Sequence, residues 1–154
     1  MEILATKNFI IRNFNVNDTD FDGDDISLKG IGSFKRSIAE SYNDELDSEG
    51  DKLFVVEFHS LLVGFVAIRL VKPLIFLTFL LSSPFDGRIY SQELLIEMVK
   101  FLHEQYPYRE INVVVNKTDD VKINILKVLG FKIKPNTSES FVSYSLFLPN
   151  KNKK

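Results

Sequence analysis

Residues 74–95 read LIFLTFLLSSPFDGRIYSQELL, and they set the architecture expected for the whole chain. The first eight, Leu74–Leu81, are almost all apolar, which predicts a strand buried on both faces. A polar turn follows at residues 82–88, and the polar residues after it open the most regular helix of the sequence. We expect Ser91 to cap that helix, because a serine hydroxyl can accept a hydrogen bond from a free amide of the first turn.

Outward from this segment, apolar periodicity predicts an alternation of strands and helices. The predicted strands lie at residues 9–14, 53–58, 61–70, 74–81, 110–115, 131–134 and 141–148. Helical residues are predicted at 26–42, which Gly30 and Gly32 can divide into more than one helix, and further helices at 91–106 and 118–129. Thr118 is the expected cap of the last helix, Gly130 its left-handed stop, and Gly64 a site of close backbone approach.

This order of elements predicts an α+β (α/β) fold with helices on both faces of one sheet. We expect the sheet to be mixed, mostly antiparallel and built from six to seven strands. The fold is expected to form a single domain over residues 1–149, followed by a disordered basic tail at residues 150–154.

The composition excludes several classes of protein. With 45% hydrophobic and 26% charged residues, the 154-residue chain has the balance of a soluble globular domain. The absence of cysteine excludes a disulfide scaffold, a zinc–thiolate site and a thiol nucleophile, and with two histidines we expect no metal site. No apolar run reaches the roughly 18 residues of a membrane helix, and the N-terminus lacks a secretory signal, so we expect a cytoplasmic protein without membrane contact.

Charge is distributed unevenly along the chain. Residues 1–51 carry 12 acids and 5 bases, a net charge of −7, whereas residues 52–154 carry 14 bases and 9 acids, a net charge of +5. The basic part suits a phosphorylated ligand and the acidic part a cationic one, although solvated surface charge is an equally good interpretation. The basic surplus is too small for a general nucleic-acid binder.

The acidic part also contains half of a calcium-loop motif. Asp18, Asp20, Asp22 and Gly23 have the spacing of its first positions, but the twelfth position, which needs a bidentate acid, is Lys29. We therefore interpret these residues as a solvated acidic loop.

Three segments carry a resemblance to a known family. They are LLVGFVAIRL at residues 61–70, SSPFDGRIYSQELL at residues 82–95 and NKTDDVKINILKVLGF at residues 116–131. Together with the order of elements they resemble the GNAT superfamily of N-acetyltransferases, of which the chain looks like a divergent member. The resemblance implies the GNAT fold, acetyl-CoA as co-substrate, and direct transfer of the acetyl group to an amine without a covalent enzyme intermediate.

Elementary chemistry also favours such a ligand at the turn between strand and helix. A helix that opens from a glycine-containing loop presents free amides and the positive end of its dipole to a pyrophosphate. The residues in that position are Gly87, Arg88, Ile89, Tyr90, Ser91 and Gln92. If the strand at 74–81 diverges from the strand at 110–115, backbone groups of Leu80, Leu81 and Ser82 can pair with the amides of the pantetheine arm. An ordinary surface turn before a capped helix is the alternative interpretation.

The sequence departs from the family pattern at several positions. Asp86 stands where a glutamine or arginine is usual in the pyrophosphate loop, and Ile89 and Ser91 stand where small residues are usual. A β-branched residue adopts positive φ poorly, so Ile89 is expected to hinder the close approach of a pyrophosphate. Asp119, our further candidate for cofactor binding, takes the place of an asparagine. Leu126 takes the place of a tyrosine that often protonates the leaving thiolate.

The catalytic residues therefore stay unassigned. The side chains that remain as candidates for proton transfer are Glu57, Tyr90, Tyr108 and Tyr144, and a structural role is the simpler interpretation of each. We expect the acceptor to be a small-molecule or protein amine, such as a polyamine, an aminoglycoside-like molecule, a lysine or an N-terminal amine, and we allow for a homodimer. The alternatives are a catalytically degenerate GNAT-fold binding or regulatory module, and a small α+β protein unrelated to acetyl transfer.

Overall fold

The computed structural model describes residues 2–14, 50–107, 109–135 and 138–149, which form eight strands and two helices. The strands are β1 (Glu2–Ala5), β2 (Ile10–Asn13), β3 (Gly50–Phe58), β4 (Leu61–Val71), β5 (Leu74–Leu81), β6 (Glu110–Asn116), β7 (Lys132–Ile133) and β8 (Phe141–Phe147). The helices are α1 (Arg88–Gln105) and α2 (Asp120–Val128).

One sheet contains these strands in the order β1-β2-β3-β4-β5-β6-β8-β7. Every neighbouring pair is antiparallel except β5 and β6, which are parallel because α1 crosses over between them. The α+β fold with a mixed, mostly antiparallel sheet is thereby confirmed, with a strand count slightly above the expected six to seven. The strand that was not predicted is β1, whose four residues pair with β2 but are too few to give a periodic signal.

The main hydrophobic cluster joins the sheet to both helices. From β5 it takes the alternate residues Ile75, Leu77, Phe79 and Leu81. From the helices it takes Leu94, Leu95, Met98, Leu102, Ile125 and Leu126. Phe76 and Thr78, which alternate with the buried residues of β5, are exposed. The expectation that this strand is buried on both faces is therefore wrong for its middle, where the apolar run conceals an ordinary alternation.

The helix starts differ from the predicted ones. α1 begins four residues earlier than expected, with Gly87 in place of Ser91 as its N-cap and with no side-chain capping bond. Ser91 is not the cap, because its amide already donates to the carbonyl of Gly87 inside the helix and its hydroxyl donates to the carbonyl of Asp86. α2 is capped by Asp119 rather than Thr118.

The end of α2 follows the prediction. Gly130 has a φ of +95°, and its amide donates to the carbonyl of Lys127. The amide of Phe131 donates to the carbonyl of Leu126, and the Phe131 ring is buried. This pair of bonds with a glycine in the left-handed region is the Schellman stop that the sequence indicates.

Several predictions lie outside the described residues. They are the helix at 26–42, the acidic loop that contains Asp18 and Asp22, Tyr108, and the tail at 150–154. The single domain over residues 1–149 stays a prediction. Neither of the two described helices combines the length and the apolar character needed to cross a membrane.

Candidate active site

The parallel strands β5 and β6 separate part-way along their length. They pair at four positions, the last of which joins Leu77 to Val113. Beyond that point β5 stays paired with β4 as far as Leu81, and β6 stays paired with β8, but the described strands do not pair with each other. Residues 78–81 and 114–116 therefore enclose an opening, which we name the wedge. It is the divergence on which the binding prediction depends.

A glycine presses β4 against β5 beside the wedge. Gly64 lies opposite Leu81, and a Cβ atom at this position would come within 2.2 Å of the carbonyl oxygen of Leu80. Any side chain here would force the two strands apart, so the residue must be glycine. The predicted close approach at Gly64 is confirmed, and it keeps one edge of β5 tightly paired while the other edge is open.

The hydrogen bonds of β5 decide which backbone groups face the wedge. The amide of Ser82 donates to the carbonyl of Val63 on β4, and its carbonyl accepts from Phe85. Because backbone groups alternate in direction along a strand, Leu80 also faces β4, whereas Phe79 and Leu81 face the wedge. Of the three residues predicted to line this edge, Leu81 therefore directs its backbone groups into the wedge, whereas Leu80 and Ser82 direct theirs towards β4. Phe79, which was not among them, also faces the wedge.

Ser82 still offers a polar group at this place. Its side chain is 1% exposed, and its hydroxyl oxygen has no hydrogen-bond partner within the described chain. A buried hydroxyl without a partner costs free energy, so it is suited to a ligand group that enters at the end of β5.

A lysine reaches into the wedge from α2. The Nζ of Lys122 donates to the carbonyl of Phe79 at 2.7 Å and lies 4.7 Å from the centroid of the Phe79 ring. The Lys122 side chain is only 19% exposed, and burial lowers its pKa, although the carboxylate of Asp119, 3.9 Å away, acts in the opposite direction. A partly desolvated ammonium group therefore lies on the open edge of β5.

The N-terminus of α1 follows the wedge along the chain. In an α-helix the first amides have no intrahelical acceptor, and here these belong to Arg88, Ile89 and Tyr90. The first turn contains no acidic residue, and no side chain caps it. Ile89 lies within α1 and is 80% exposed, so its backbone does not need the positive φ that a β-branched residue adopts poorly. The amides of Ser91 and Gln92, which were also predicted to bind the pyrophosphate, donate to carbonyls within the helix. The free amides are therefore those that precede Ser91.

An aromatic cluster holds the loop that leads into α1. The ring of Phe85 lies 4.7 Å from that of Phe58 and 5.4 Å from that of Tyr90, and Tyr90 also contacts Phe9 at 5.7 Å. These tilted and edge-on contacts connect the loop to β3 and to the residue that precedes β2. The half-buried Tyr90 ring therefore has a packing role in this cluster, while its backbone amide lies at the start of α1.

The other candidates for proton transfer also have structural surroundings. Glu57 forms an ion pair with Arg12 on β2. Tyr144 is buried in the main cluster on β8, and Leu126 is fully buried there as well. The carboxylate of Asp119 accepts from the amide of Lys122, as an N-cap does. Within the described ranges no group of three histidine, cysteine or acidic residues is placed to hold a metal ion.

Comparison with solved structures finds close matches of shape at low sequence identity. Spermidine N-acetyltransferase from Vibrio cholerae, in complex with CoA and spermine, superposes with a TM-score of 0.70 at 9% identity, covering 94% of this chain and 98% of that one. N-acetyltransferase PseH from Campylobacter jejuni, in complex with acetyl coenzyme A, gives 0.65 at 14% identity, covering 90% and 98%. An acetyl transferase from Salmonella typhimurium that modifies the N-terminal serine of a 50S ribosomal subunit protein gives 0.65 at 8%, covering 94% and 97%.

The chain has the GNAT fold. No protein-family model matches the sequence, and no curated protein matches it either. The likeness therefore lies in the path of the backbone, and it extends over nearly the whole chain. The wedge and the uncapped start of α1 are observed directly in the structure of this chain and do not depend on the comparison.

Sequence reasoning missed Lys122 and Phe79 as members of the candidate site. One signal for Lys122 was present, because it falls at the three- and four-residue spacing of Ile125, Leu126 and Leu129 and so lies on the apolar stripe of α2. A lysine on such a stripe either extends its ammonium to solvent or finds a buried acceptor. Which of the two applies depends on how α2 packs against β5.

Proposed function

We propose that the protein is an acetyl-CoA-dependent N-acetyltransferase that transfers the acetyl group directly to an amine. The observation that carries the proposal is the wedge between β5 and β6, which opens beside a helix N-terminus without a capping side chain. The solved structures of similar shape include complexes with acetyl-CoA or CoA, which supports the same co-substrate here.

The open edge of β5 suits the pantetheine arm. Phe79 and Leu81 direct backbone groups into the wedge beyond the last pair with β6, and an extended arm with two amides can pair with this edge as an added strand does. The Phe79 carbonyl already accepts from Lys122, so the groups left for the arm are the Phe79 amide and the backbone groups of Leu81. An amide of the same edge is a suitable donor to the oxygen of the thioester, on which negative charge develops during attack by the amine. The unpartnered hydroxyl of Ser82 adds a polar contact where the arm enters.

The start of α1 suits the pyrophosphate. Its free amides and helix dipole favour an anion, and Arg88 is exposed and forms no ion pair with any described residue. Asp86 opposes this binding, because its exposed carboxylate lies in the loop just before the helix. We expect the amides and Arg88 together to outweigh that single charge.

The chemistry needs orientation more than a special side chain. Holding the amine and the thioester in attack geometry contributes on the order of 7 kcal/mol or more, and an acid or base adds roughly 10²- to 10⁴-fold. The acceptor is proposed to be a cationic amine, since residues 1–51 carry a net charge of −7. Similar structures include one in complex with spermine and one that modifies an N-terminal serine, so both small and protein amines belong in the test.

Calorimetry with acetyl-CoA tests the cofactor site, and Arg88→Gln tests its location. We expect Arg88→Gln to weaken acetyl-CoA binding about tenfold, because a charge-assisted contact to phosphate is lost. Arg109→Gln is the matched control, since Arg109 is an exposed arginine at the opposite end of the sheet, before β6. The assignment fails if the parent does not bind acetyl-CoA, or if Arg88→Gln and Arg109→Gln bind it equally well.

Release of free CoA thiol with a panel of amines tests the reaction itself. The panel contains spermidine, an aminoglycoside, lysine and peptides with free N-termini. Leu126, buried where a tyrosine is usual by resemblance, favours the second candidate function, a GNAT-fold module that binds acetyl-CoA without transferring its acetyl group. If the protein binds acetyl-CoA but releases no free CoA thiol with any amine of the panel, the second candidate function is the correct one.

A further inference from the structure

We propose that Lys122 is the proton donor to the leaving thiolate in the transfer reaction, an inference that rests on the proposed function. Its Nζ is bonded to the carbonyl of Phe79, which lies on the open edge of β5 two residues beyond the last pair with β6. An arm whose pyrophosphate is at the start of α1 runs from Ser82 towards the closed end of the wedge. The thioester, at the far end of the arm, therefore comes to the level of Phe79.

The geometry of α2 explains why the lysine takes this place. Lys122 lies four residues before Leu126, so both side chains project from the same side of the helix. Leu126 is too short and apolar to provide a proton, whereas the longer side chain of Lys122 leans towards the N-terminus of α2 and reaches β5. One turn of helix thus separates the residue that is buried in the core from the residue that enters the wedge.

The ammonium group retains capacity for a ligand. It has three N–H donors, and the Phe79 carbonyl is the only acceptor within hydrogen-bond distance among the described residues. The charged group that faces it is Asp119 from α2, at 3.9 Å, and from β5 it meets only the carbonyl and ring of Phe79. Burial holds the pKa of Lys122 below its ordinary value, which brings the ammonium closer to the acidity of a thiol.

The step balances without a further reactant. The amine nitrogen forms a bond to the acetyl carbon, and the carbon–sulfur bond breaks with its electron pair going to sulfur. Sulfur takes a proton from Nζ of Lys122, which yields the CoA thiol and a neutral lysine. The proton that the acceptor nitrogen loses returns to Lys122 through solvent, so no net proton change occurs at the enzyme.

The test uses Lys122→Met, Lys122→Arg and, as the control, Lys127→Met, which removes an exposed lysine of the same helix. We expect Lys122→Met to lower kcat for thiol release about 10²-fold while acetyl-CoA affinity changes less than threefold. Lys122→Arg restores the charge but not the proton transfer, because an arginine does not deprotonate at working pH, so its kcat stays low. The parent should lose kcat as pH rises through the lowered pKa of Lys122, and this alkaline limb should be absent in Lys122→Met.

A second measurement does not depend on turnover. The thiol of bound CoA, followed by its ultraviolet thiolate absorbance, should titrate about one pH unit higher in Lys122→Met than in the parent, because the ammonium favours the thiolate. The inference is overturned if kcat of Lys122→Met stays within twofold of the parent, or if the thiol titrates identically in both. A parent that binds no CoA overturns the proposed function and this inference together, whereas an active parent with an equally active Lys122→Met overturns this inference alone.

Discussion

The two helices begin at the same edge of the sheet, after parallel strands, yet their N-termini are satisfied in opposite ways. α2 provides its own anion, because Asp119 accepts from the amide of Lys122 and Asp120 lies in the first turn. α1 has glycine at its N-cap, no acid in its first turn and no side-chain bond to its amides. A helix start that lacks an internal partner stabilises an external anion, so the difference supports the proposal that α1, and not α2, receives a pyrophosphate.

The sharpest way to break this comparison is to give α1 the kind of cap that α2 has. Gly87 has φ −74° and ψ 176°, and a Cβ atom there meets nothing within 4 Å, so aspartate fits without strain. We expect Gly87→Asp to weaken acetyl-CoA binding about 100-fold, or about 2.7 kcal/mol, because the carboxylate takes the amides and repels phosphate. Calorimetry measures the affinity.

Thermal unfolding separates this effect from damage to the fold. Gly87→Asp should raise the melting temperature slightly, since a cap and a favourable dipole contact are worth up to about 1 kcal/mol together. Gln105→Glu is the control, because it adds the same charge at the other end of α1. If Gly87→Asp binds acetyl-CoA as well as Gln105→Glu does, α1 is not the phosphate site.

The first acidic residue of α1, Glu93, lies beyond the first turn and binds the turn between β1 and β2 instead of the helix amides. Removing its charge tests whether it contributes to the fold alone. The carboxylate of Glu93 accepts from the amide and side chain of Asn8 and from the hydroxyl of Thr6, so it is bonded to the turn between β1 and β2. We expect Glu93→Gln to lower the free energy of unfolding by about 1.5 kcal/mol at neutral pH, because an amide retains only part of these bonds. Urea unfolding measures the loss.

The pH dependence of that loss has a definite sign. Burial acts to raise the pKa of Glu93, but the bonds from Thr6 and Asn8 outweigh it, and the pKa lies below its ordinary value. A carboxyl with a lowered folded-state pKa stabilises the protein fully above its unfolded-state pKa and loses this contribution as pH falls through the folded-state pKa. The difference between the parent and Glu93→Gln should therefore shrink in acid. A difference that stays constant down to low pH would contradict this assignment.

The two helix starts also show what the sequence could and could not predict. Glycine and serine are both favoured at an N-cap, so the cap rules alone do not decide between Gly87 and Ser91. In the structure the first turn begins at Arg88, and Phe85 and Tyr90 on either side of it pack against Phe58 and Phe9. The loop after β5 and the helix that follows it were predictable, because a polar, glycine-containing segment separates an apolar strand from an apolar stripe. The divergence of β5 from β6 entered only as a condition, since the point at which two parallel strands stop pairing depends on the twist and packing of the whole sheet. The direction of each backbone group was not predictable, since a shift of one residue in register exchanges Leu80 for Phe79.

The smallest expected effect tests the α2 side of the comparison. Asp119→Ala should lower the free energy of unfolding by about 1 kcal/mol through loss of the cap, whereas Asp119→Asn, which can also cap, should lose a few tenths. Both variants remove the charge that lies 3.9 Å from Lys122 and that raises its pKa, so both should lower that pKa further. If the alkaline limb of kcat moves to lower pH in both variants, but only Asp119→Ala is destabilised, the cap and the charge of Asp119 act separately. If the alkaline limb of kcat instead moves only in Asp119→Ala, the destabilised variant, then Asp119 acts on the wedge only by holding α2 in place.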